Sequence, residues 1–465
     1  MSSDTDVDLR PATMADAELM FAWQSDPRTR RHFRNPSAPS WDEHRAWLAA
    51  KLADPDAAVT VIRRHEHDAG VLRMDRDEVA ILVDPMKYGQ GIGRAALRLA
   101  PSLARGTTIH ASVRAENDAS MALFKAAGYG DAGRDELLLH GIRPRTARIM
   151  IAADAGKGIG LGHVSRAVGI WKALRRRGAE VELHVPDAQG LAVHLKARGI
   201  DARFGCDVAA EFQRTGADVL ILDHKRLTAG DLVRQGVRAE SLFLFVDSEG
   251  PHPKAAGLID GAGQEAGNDD TLRLFGPAYQ VVRDDLQRRA MHDPTHPPER
   301  MLITVGGDDP RGLTPRLIAW VTERVAPRWP QLRVDVVSGP FAPEVAGGAP
   351  AMRVHVAPKN MAELIANADI AVAGAGQTMF ELAYCGVPII ALEGGTDQRR
   401  NLASMTRLGC VAATSMEALD STFADLMQHA SKRGALSKAA LRLIDDKGAD
   451  RIAAAIDIHA RLNRR

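Results

Sequence analysis

A glycine-rich stretch at residues 154–166 constrains the fold of this chain more than any other part of its sequence. It reads Asp-Ala-Gly-Lys-Gly-Ile-Gly-Leu-Gly-His-Val-Ser-Arg and follows an apolar run at 149–153. Apolar residues then recur at helical spacing from 164 to 174. The pattern predicts a buried strand, a glycine loop and a helix whose first turn carries His163. Free N–H groups at such a helix start favour an anion such as a diphosphate, although a tight turn with an incidental histidine is the alternative.

The length and charge of the chain limit what kind of protein it can be. At 465 residues it is too long for one core, and about three domains are expected. Lys and Arg total 60 against 59 Asp and Glu, so no overall field would recruit nucleic acid or an anionic membrane. Cys206, Cys385 and Cys410 are too far apart in sequence for a metal-type pair. With no signal-peptide pattern and no run of membrane-spanning length, the sequence predicts a reduced, cytoplasmic location.

The first part of the chain predicts a domain with a glycine loop of its own. Strands are expected at 57–63, 70–74 and 79–83. The last of them runs into residues 89–93, Gly-Gln-Gly-Ile-Gly, and then a helix, which again offers a row of backbone N–H groups to phosphates. Further on, Asn117 leads into another predicted helix.

These two segments, in this order, resemble the GNAT acetyltransferase family. The resemblance implies an α+β domain over residues 1–143 that uses acetyl-CoA as co-substrate. In that family the loop that corresponds to Gly89, Gly91 and Gly93 holds the pyrophosphate, and the segment starting at Asn117 completes the cofactor site. The stretch at 40–47 is similar to members that acetylate amino sugars.

Two positions depart from the GNAT pattern. Tyr88 stands where a Gln or Arg is usual, and Phe124 stands where a Tyr often protonates the departing thiolate. Loss of that acid need not abolish transfer, because a thiol with a pKa near ~8.5 is a tolerable leaving group. Glu78, at the start of the central strand, is then the candidate base for the substrate amine, and a solvated strand end is the alternative.

Beyond a turn-like seam at 140–145, strands and helices alternate, which predicts two α/β domains over 144–293 and 294–465. Open α/β sheets place ligands at the carboxyl ends of their strands, so acidic residues after predicted strands are candidate contacts: Asp154, Asp223 and Asp247. Two further glycine loops follow strands at 306–310 and 374–378. Each of these features also fits an ordinary strand-end turn. Because the parts on either side of the seam have cores of their own, they are expected to fold separately.

Two Rossmann-like halves with glycine loops aimed at one cleft resemble the GT-B architecture of nucleotide-sugar enzymes. Six segments, in order, are similar to the UDP-2,4-diacetamido-2,4,6-trideoxy-altropyranose hydrolases of pseudaminic acid biosynthesis: 160–166, 222–224, 276–283, 305–310, 374–381 and 397–401. The expected fold class is therefore α/β, with an N-terminal GNAT α+β domain followed by a GT-B architecture of two Rossmann-like domains.

This second resemblance assigns roles to residues of those segments. His163 is implied to be catalytic, helping water attack the anomeric carbon as UDP leaves. The helix start after Gly374 is implied to hold the diphosphate, and Glu381 the ribose. The other implied substrate contacts are Gly160, Gly162, Arg166, Asp223, Gly306, Gly307, Gly376, Gln377, Thr378, Asp397 and Gln398. No metal cluster is apparent in the sequence, so helix-start N–H groups are expected to stabilise the leaving group.

Lys225 and Asp397 depart from this second family, which often has Tyr and Asn at these positions. A lysine could pair with phosphate, whereas an added carboxylate near it would repel. Either the acyl substituents of the sugar differ or catalysis is impaired.

The fusion of the two parts predicts a bifunctional enzyme. It would N-acetylate a UDP-linked 4-amino sugar with acetyl-CoA and then hydrolyse the UDP-diacetamido sugar, feeding pseudaminic or another nonulosonic acid into flagellin or surface glycans. The expected partner is a UDP-amino sugar, with no nucleic acid, membrane or metal. Three alternatives stay open: a GT-B glycosyltransferase, a hydrolysing 2-epimerase, and a decayed module that only binds UDP-sugar.

Overall fold

The computed structural model describes residues 7–31, 33, 35–133, 135–187, 191–197, 199–246, 254–263, 271–288, 296–342 and 351–463. Within them the strands form three sheets, two of seven strands and one of six. Asp247 and the predicted boundary at 293/294 lie outside the described residues.

The first domain is built on one mixed sheet. Its elements are β1 (Val7–Pro11), α1 (Ala17–Ser25), α2 (Pro27–Arg30), α3 (Trp41–Ala53), β2 (Ala57–Arg64), β3 (His67–Asp75), β4 (Glu78–Val83), α4 (Ile92–Leu99), β5 (Thr108–Ser112), α5 (Asp118–Ala126), β6 (Gly130–Gly133) and β7 (Glu136–His140). The order is β1-β2-β3-β4-β5-β7-β6, and the central β4–β5 pair is parallel. These two strands pair in register at Glu78 and His110 and separate beyond that point. The sheet therefore opens beside the loop that follows β4.

The second domain is a parallel sheet with helices on its faces. Its elements are β8 (Arg148–Ala153), α6 (Gly162–Arg176), β9 (Glu180–Val185), α7 (Leu191–Ala197), β10 (Arg203–Phe204), α8 (Val208–Thr215), β11 (Val219–Asp223), α9 (Ala229–Arg234), β12 (Leu242–Phe245), β13 (Gly257–Asp260) and β14 (Leu272–Phe275). The order is β10-β9-β8-β11-β12-β13-β14. The central β8 and β11 are buried on both faces, which explains why each is a continuous apolar run. The sequence did not predict β13 and β14.

The third domain repeats this architecture. Its elements are β15 (Arg300–Thr304), α10 (Leu313–Trp320), α11 (Ala326–Arg328), β16 (Arg333–Ser338), β17 (Met352–Val356), α12 (Met361–Asn367), β18 (Ile370–Gly374), α13 (Gln377–Tyr384), β19 (Ile389–Leu392), α14 (Arg399–Arg407), β20 (Ala412–Ala413), α15 (Leu419–Gln428), α16 (Ala430–Leu443) and α17 (Gly448–Leu462). A π-helical turn at Val321–Val325 joins α10 to α11. The strands are parallel, in the order β17-β16-β15-β18-β19-β20.

The long helix α17 leaves the third domain and packs against the other two. Ala453 and Ile456 share a buried cluster with residues of α6 and β8. Ile458 instead belongs to the core of the first domain, and it is 2% exposed. One helix therefore completes the cores of two domains.

A buried ion cluster strengthens this junction. Asp457 of α17 is 1% exposed and accepts hydrogen bonds from Arg461 at 2.9 Å, Arg177 at 3.3 Å and Arg105 of the first domain at 3.4 Å. Arg177, at the end of α6, also donates to two backbone carbonyls of the first domain, both at 2.8 Å. Burial lowers the pKa of Arg177 to about 10, although Asp457 acts in the opposite direction. The junction argues against the expectation that the two parts fold separately.

Candidate active site

A cleft between the second and third domains brings the predicted substrate contacts together. It has a volume of about 540 Å³, and its walls include the loops that follow β8, β15, β18 and β19. His163 lines it, together with Gly160, Gly162, Arg166, Gly306, Gly307, Gly374, Gly376, Gln377, Thr378, Glu381, Asp397 and Gln398. Asp223 lies directly behind His163. The structure thus gathers residues from the three glycine loops of the second and third domains at one place, and their individual roles stay predictions.

His163 is held by a carboxylate at the end of the neighbouring strand. β8 and β11 are adjacent in register, so Asp223 at the end of β11 lies beside the loop that leads into α6. The Nδ1 of His163 is 2.5 Å from Asp223 Oδ1. One turn along α6, Arg166 donates to the same carboxylate through Nε at 2.5 Å and Nη2 at 2.6 Å. The side chains of His163 and Asp223 are 8% and 1% exposed, so water barely reaches this pair.

The charge of Asp223 determines which nitrogen of His163 can act as a base. Burial by itself would raise the pKa of Asp223, but Arg166 and His163 outweigh it and hold that pKa well below its usual range. An ionised carboxylate only accepts hydrogen bonds, so the Nδ1 of His163 carries the proton. The neutral ring then has Nε2 as its acceptor, and this nitrogen can take a proton from water. The sequence also allowed Asp223 to be a residue of a strand-end turn, whereas the geometry favours a residue that orients His163.

Two helix starts face each other across the cleft. A Cβ at Gly162, in the first turn of α6, would lie 3.6 Å from the Cβ of Gln377 at the start of α13. The free N–H groups of both helices therefore create positive potential in one place. The arrangement suits an anionic group bound between the two domains.

Glycine is required where the two domains touch. A Cβ at Gly307 would lie 2.8 Å from the backbone nitrogen of Leu161 and 3.2 Å from the Cα of Gly160. Nearby, Asp308 accepts the backbone N–H of Gly158 at 2.7 Å. The loops after β8 and β15 thus meet backbone to backbone. This close approach explains why residue 307 is a glycine, independently of any contact with substrate.

The third-domain wall is organised around the start of α13. Gln398 accepts a hydrogen bond from the backbone N–H of Gly394 at 3.1 Å. A Cβ added at Gly374 or at Gly376 would lie 3.4 Å from the side-chain amide of Gln398. Glu381, one turn into α13, lines the cleft and is 4% exposed. Backbone N–H groups and a buried carboxylate therefore stand together on this side.

The two departures from the hydrolase pattern form an ion pair with each other. Lys225, just after β11, reaches across the cleft, and its Nζ lies 2.8 Å from Asp397 Oδ2 of the third domain. Both side chains line the cleft. Each charge thus has a partner, which the sequence could not reveal.

A second carboxylate network, which the sequence did not reveal, lies beside the first. Asp154 is fully buried and accepts hydrogen bonds from Arg226 Nε at 3.1 Å and from the backbone of Ala155 at 2.9 Å. The Nδ1 of His224 is 3.3 Å from Asp154 and accepts the N–H groups of Arg226 and Leu227 at 3.1 and 2.9 Å. Burial lowers the pKa of His224, which keeps the ring neutral near pH 7. The position of Asp154 at a strand end was the available signal, but nothing in the sequence pointed to Arg226.

The predicted cofactor loop of the first domain leaves its backbone accessible. Gly89 and Gly91 have φ of +77° and +79°, and a Cβ at either position would meet nothing within 4 Å. Gly93 differs, because a Cβ there would lie 3.1 Å from a methyl group of Leu123, so it lets α4 pack closely on α5. Asn117 caps α5, accepting the N–H of Ser120 at 3.1 Å.

The remaining predicted residues of the first domain have different surroundings. Glu78 is exposed where β4 and β5 begin to separate, opposite the exposed His110. Tyr88 is 46% exposed, and its hydroxyl is 3.2 Å from the Oγ1 of Thr29. Phe124 is buried and packs edge-on against Tyr129, with ring centroids 5.1 Å apart.

Among the described residues, one group has the arrangement of possible metal ligands: Glu182, His184 and Glu211. None of the three lines the cleft. Arg214 donates to Glu211 at 2.6 Å, so a guanidinium already neutralises part of this group. The described helices also include none that is both long and apolar enough to cross a membrane.

Comparison with known proteins identifies the first domain. Residues 6–130 match the family model described as an acetyltransferase (GNAT) domain. The N-alpha-acetyltransferase RimI of Mycobacterium tuberculosis is 41% identical over 71 residues, which are 14% of this chain and 45% of that protein.

Two longer similarities extend beyond the GNAT domain. The uncharacterised protein MJ1062 of Methanocaldococcus jannaschii is 23% identical over 282 residues, 54% of this chain and 57% of its own length. The pseudaminic acid cytidylyltransferase and UDP-2,4-diacetamido-2,4,6-trideoxy-beta-L-altropyranose hydrolase of Helicobacter pylori is 23% identical over 296 residues, 60% of this chain and 50% of its own. The chain thus spans about half the length of the curated relatives it matches.

Solved structures overlap the two parts of the chain separately. MurG of Acinetobacter baumannii covers 66% of this chain and 98% of its own, with a TM-score of 0.47 and 15% identity. A spermidine N-acetyltransferase of Vibrio cholerae, crystallised with CoA and spermine, covers 30% of this chain and 96% of its own, with a TM-score of 0.28 and 16% identity. The sheet order and the parallel strands of the second and third domains define their architecture. The chain is therefore a GNAT acetyltransferase domain joined to a GT-B-like pair of Rossmann-like domains, and a partial homologue of a pseudaminic acid cytidylyltransferase and UDP-sugar hydrolase.

Proposed function

We propose that this chain is a bifunctional nucleotide-sugar enzyme. The GNAT domain transfers the acetyl group of acetyl-CoA to the 4-amino group of a UDP-linked amino sugar. The GT-B-like part then hydrolyses the UDP-diacetamido sugar to the free sugar and UDP, as a step towards pseudaminic or a related nonulosonic acid. The Helicobacter pylori relative supports the substrate class, because that protein is named as a hydrolase of such a UDP-sugar.

One observation carries the hydrolase proposal: the orientation of His163 by Asp223. The carboxylate fixes the proton of His163 on Nδ1 at 2.5 Å, so that Nε2 is the basic nitrogen of a residue lining the cleft. A base held in the required tautomer contributes typically about 10²–10⁴-fold to a rate.

The proposed step is direct displacement at carbon. A water oxygen forms a bond to the anomeric carbon as the bond from that carbon to the diphosphate oxygen breaks. The water proton passes to the Nε2 of His163, and UDP leaves with the bonding electron pair. The facing helix starts at Gly162 and Gln377 support this step, because N–H groups at helix starts stabilise negative charge on a leaving group bound beside them.

The acetyl-transfer step is assigned to the opening between β4 and β5. Acetyl-CoA is proposed to bind with its pyrophosphate at the open backbone of Gly89 and Gly91, and Glu78 is proposed to take the proton of the amine. Glu78→Gln should then slow thiol release from acetyl-CoA in the presence of the amino sugar while leaving coenzyme A affinity unchanged. An unaltered rate would show that Glu78 is only a solvent-exposed residue at the end of its strand.

Hydrolysis in ¹⁸O-water tests the second activity. The full chain, incubated with UDP-2,4-diacetamido sugar, should place label on the anomeric hydroxyl of the free sugar and none on UDP. Label on UDP would mean attack at phosphorus. UDP release that requires an added alcohol acceptor would establish a glycosyltransferase instead.

His163→Ala should lower UDP release by about 10²–10⁴-fold while UDP still binds. His355 provides a matched control. It lies on the edge strand β17, pairs at 2.7 Å with Asp335 of the neighbouring β16, and does not line the cleft. His355→Ala should therefore keep UDP release. Equal losses in both variants would show that a histidine–aspartate pair matters for folding rather than for catalysis.

A further inference from the structure

The cleft contains a charge pair whose geometry suits exchange of partners. Lys225 of the second domain and Asp397 of the third make a single contact, Nζ to Oδ2 at 2.8 Å. Their side chains are 32% and 43% exposed, so solvent reaches both. An ion pair of this kind contributes little to stability, and either charge can leave it readily.

The turn that carries Lys225 is fixed, which gives the ammonium a defined position. The Nδ1 of His224 accepts the N–H groups of Arg226 and Leu227 at 3.1 and 2.9 Å. The guanidinium of Arg226 is bound in turn by the buried Asp154. Lys225 therefore extends into the cleft from a held backbone, and its own side chain is the movable part.

Asp397 holds the ammonium next to the start of α13. The side-chain amide of the following residue, Gln398, would lie 3.4 Å from a Cβ added at Gly374 or at Gly376. The pair therefore lies beside the N–H groups that are proposed to receive the diphosphate.

The other two cations that the second domain contributes to the cleft wall, Arg166 and Arg283, are each bound to a carboxylate by two hydrogen bonds. Arg166 makes two short hydrogen bonds to the buried Asp223. Arg283 binds Asp285 through two hydrogen bonds at 2.5 and 2.8 Å. Lys225 has a single, partly exposed contact, so it can change partners at a lower cost than Arg166 or Arg283.

We propose that Lys225 binds the diphosphate of the nucleotide sugar and that Asp397 is the counter-ion that holds it while the cleft is empty. On binding, the Lys225 ammonium moves from the carboxylate to a phosphate oxygen, and the Asp397 carboxylate turns to solvent. This inference rests on the proposed function for the identity of the ligand. It explains Lys225 and Asp397, the two departures from the hydrolase pattern, as a pair with a shared role in binding rather than as signs of lost catalysis.

Titration calorimetry with UDP and with uridine tests this on the full chain. Lys225→Met should weaken UDP binding by about 10–100-fold, the usual effect of losing a hydrogen bond to a charged group. The same variant should leave uridine binding unchanged, because uridine has no phosphate. Asp397→Asn should tighten UDP binding several-fold, since Lys225 no longer has a competing partner. The double variant should bind UDP like Lys225→Met, because Asp397 acts only through Lys225.

Lys432→Met is the matched control, since Lys432 pairs with Asp425 at 2.7 Å on α15 and α16 and does not line the cleft. It should bind UDP like the parent. If Lys225→Met also binds UDP like the parent, or if the parent does not bind UDP, the proposal is wrong. If Asp397→Asn weakens UDP binding as much as Lys225→Met, the pair holds the two domains together instead. UDP binding that depends on Lys225, in a chain that releases no sugar, would keep this inference and remove the hydrolase activity.

Discussion

Replacing Asp223 by asparagine tests the centre of the proposed active site. The carboxylate is 1% exposed and accepts three hydrogen bonds, one from His163 at 2.5 Å and two from Arg166 at 2.5 and 2.6 Å. Asparagine has the same shape as aspartate, but one of the two carboxylate oxygens is replaced by an NH₂ group. That NH₂ group would face a donor of His163 or Arg166 instead of accepting from it. The variant thus removes the charge and the fixed tautomer of His163 together.

The loss of the Asp223 charge should lower stability, and the loss of the fixed His163 tautomer should lower the rate. Breaking a buried ion pair by removing one partner costs about 3–5 kcal/mol, because the Arg166 charge stays in a site that water barely reaches. The loss of a correctly oriented base should reduce UDP release by about 10²–10⁴-fold. Together, these effects predict a protein that folds less stably and hydrolyses far more slowly.

The dependence of stability on pH identifies the cause. Folding holds the pKa of Asp223 below its usual value, so the charged carboxylate stabilises the fold above the pKa of an unfolded aspartate, about 3.9. That stabilisation is lost as the pH falls towards the folded pKa. The difference in unfolding free energy between parent and variant should therefore be constant from about pH 5 to 8 and narrow below about pH 4.

Urea unfolding across this pH range, with UDP release measured in parallel, provides the assay. Asp309→Asn is the control, because Asp309 is 5% exposed and its carboxylate accepts backbone N–H groups of α10 at 2.8 and 2.7 Å. It should lose stability but keep its rate of UDP release. Parental turnover in Asp223→Asn would refute the reasoning and make Asp223 a strand-end turn residue.

Three further outcomes are expected. Gly91→Val should abolish coenzyme A binding in calorimetry. The φ of +79° at this position strains a branched residue, and the valine side chain would fill the open space in front of the backbone. Unchanged affinity would show that this loop does not bind the cofactor. Asp457→Asn should lower the free energy of unfolding by about 3 kcal/mol, since three arginines lose their shared carboxylate, and Asp425→Asn at an exposed pair should change it far less. A chain that begins at Arg145 should melt earlier and be cleaved by protease within α17; a melting temperature equal to that of the full chain would show that the first domain gives this helix no support.

The glycine loops could be predicted from sequence because their chemistry is local. An apolar run, a glycine turn and a helical period follow one another at 149–174, and parallel strands bring such loops to the same edge of a sheet. His163, Gly162 and Gln377 therefore meet in one cleft, although each was found from its own neighbours in sequence.

The pairings across the fold could not be predicted, because a single sequence contains no signal for distant partners. Lys225 and Asp397 are 172 residues apart, and the sequence showed each only as a departure from the family pattern. Asp154 and Arg226 are 72 residues apart and also pair only in the folded chain. The junction at Asp457 belongs to this class, since two of its three arginines come from the other two domains.

The position of α17 in the chain has a consequence for synthesis on the ribosome. The first-domain strands it covers end at Arg64, and α17 begins about 380 residues later. At ~5–20 residues per second, roughly 20–80 s pass before the helix exists. During that interval the apolar surface that will receive Ile458 is uncovered in the nascent chain. This nascent surface is where a chaperone would bind, and slow translation of the third domain would prolong its exposure.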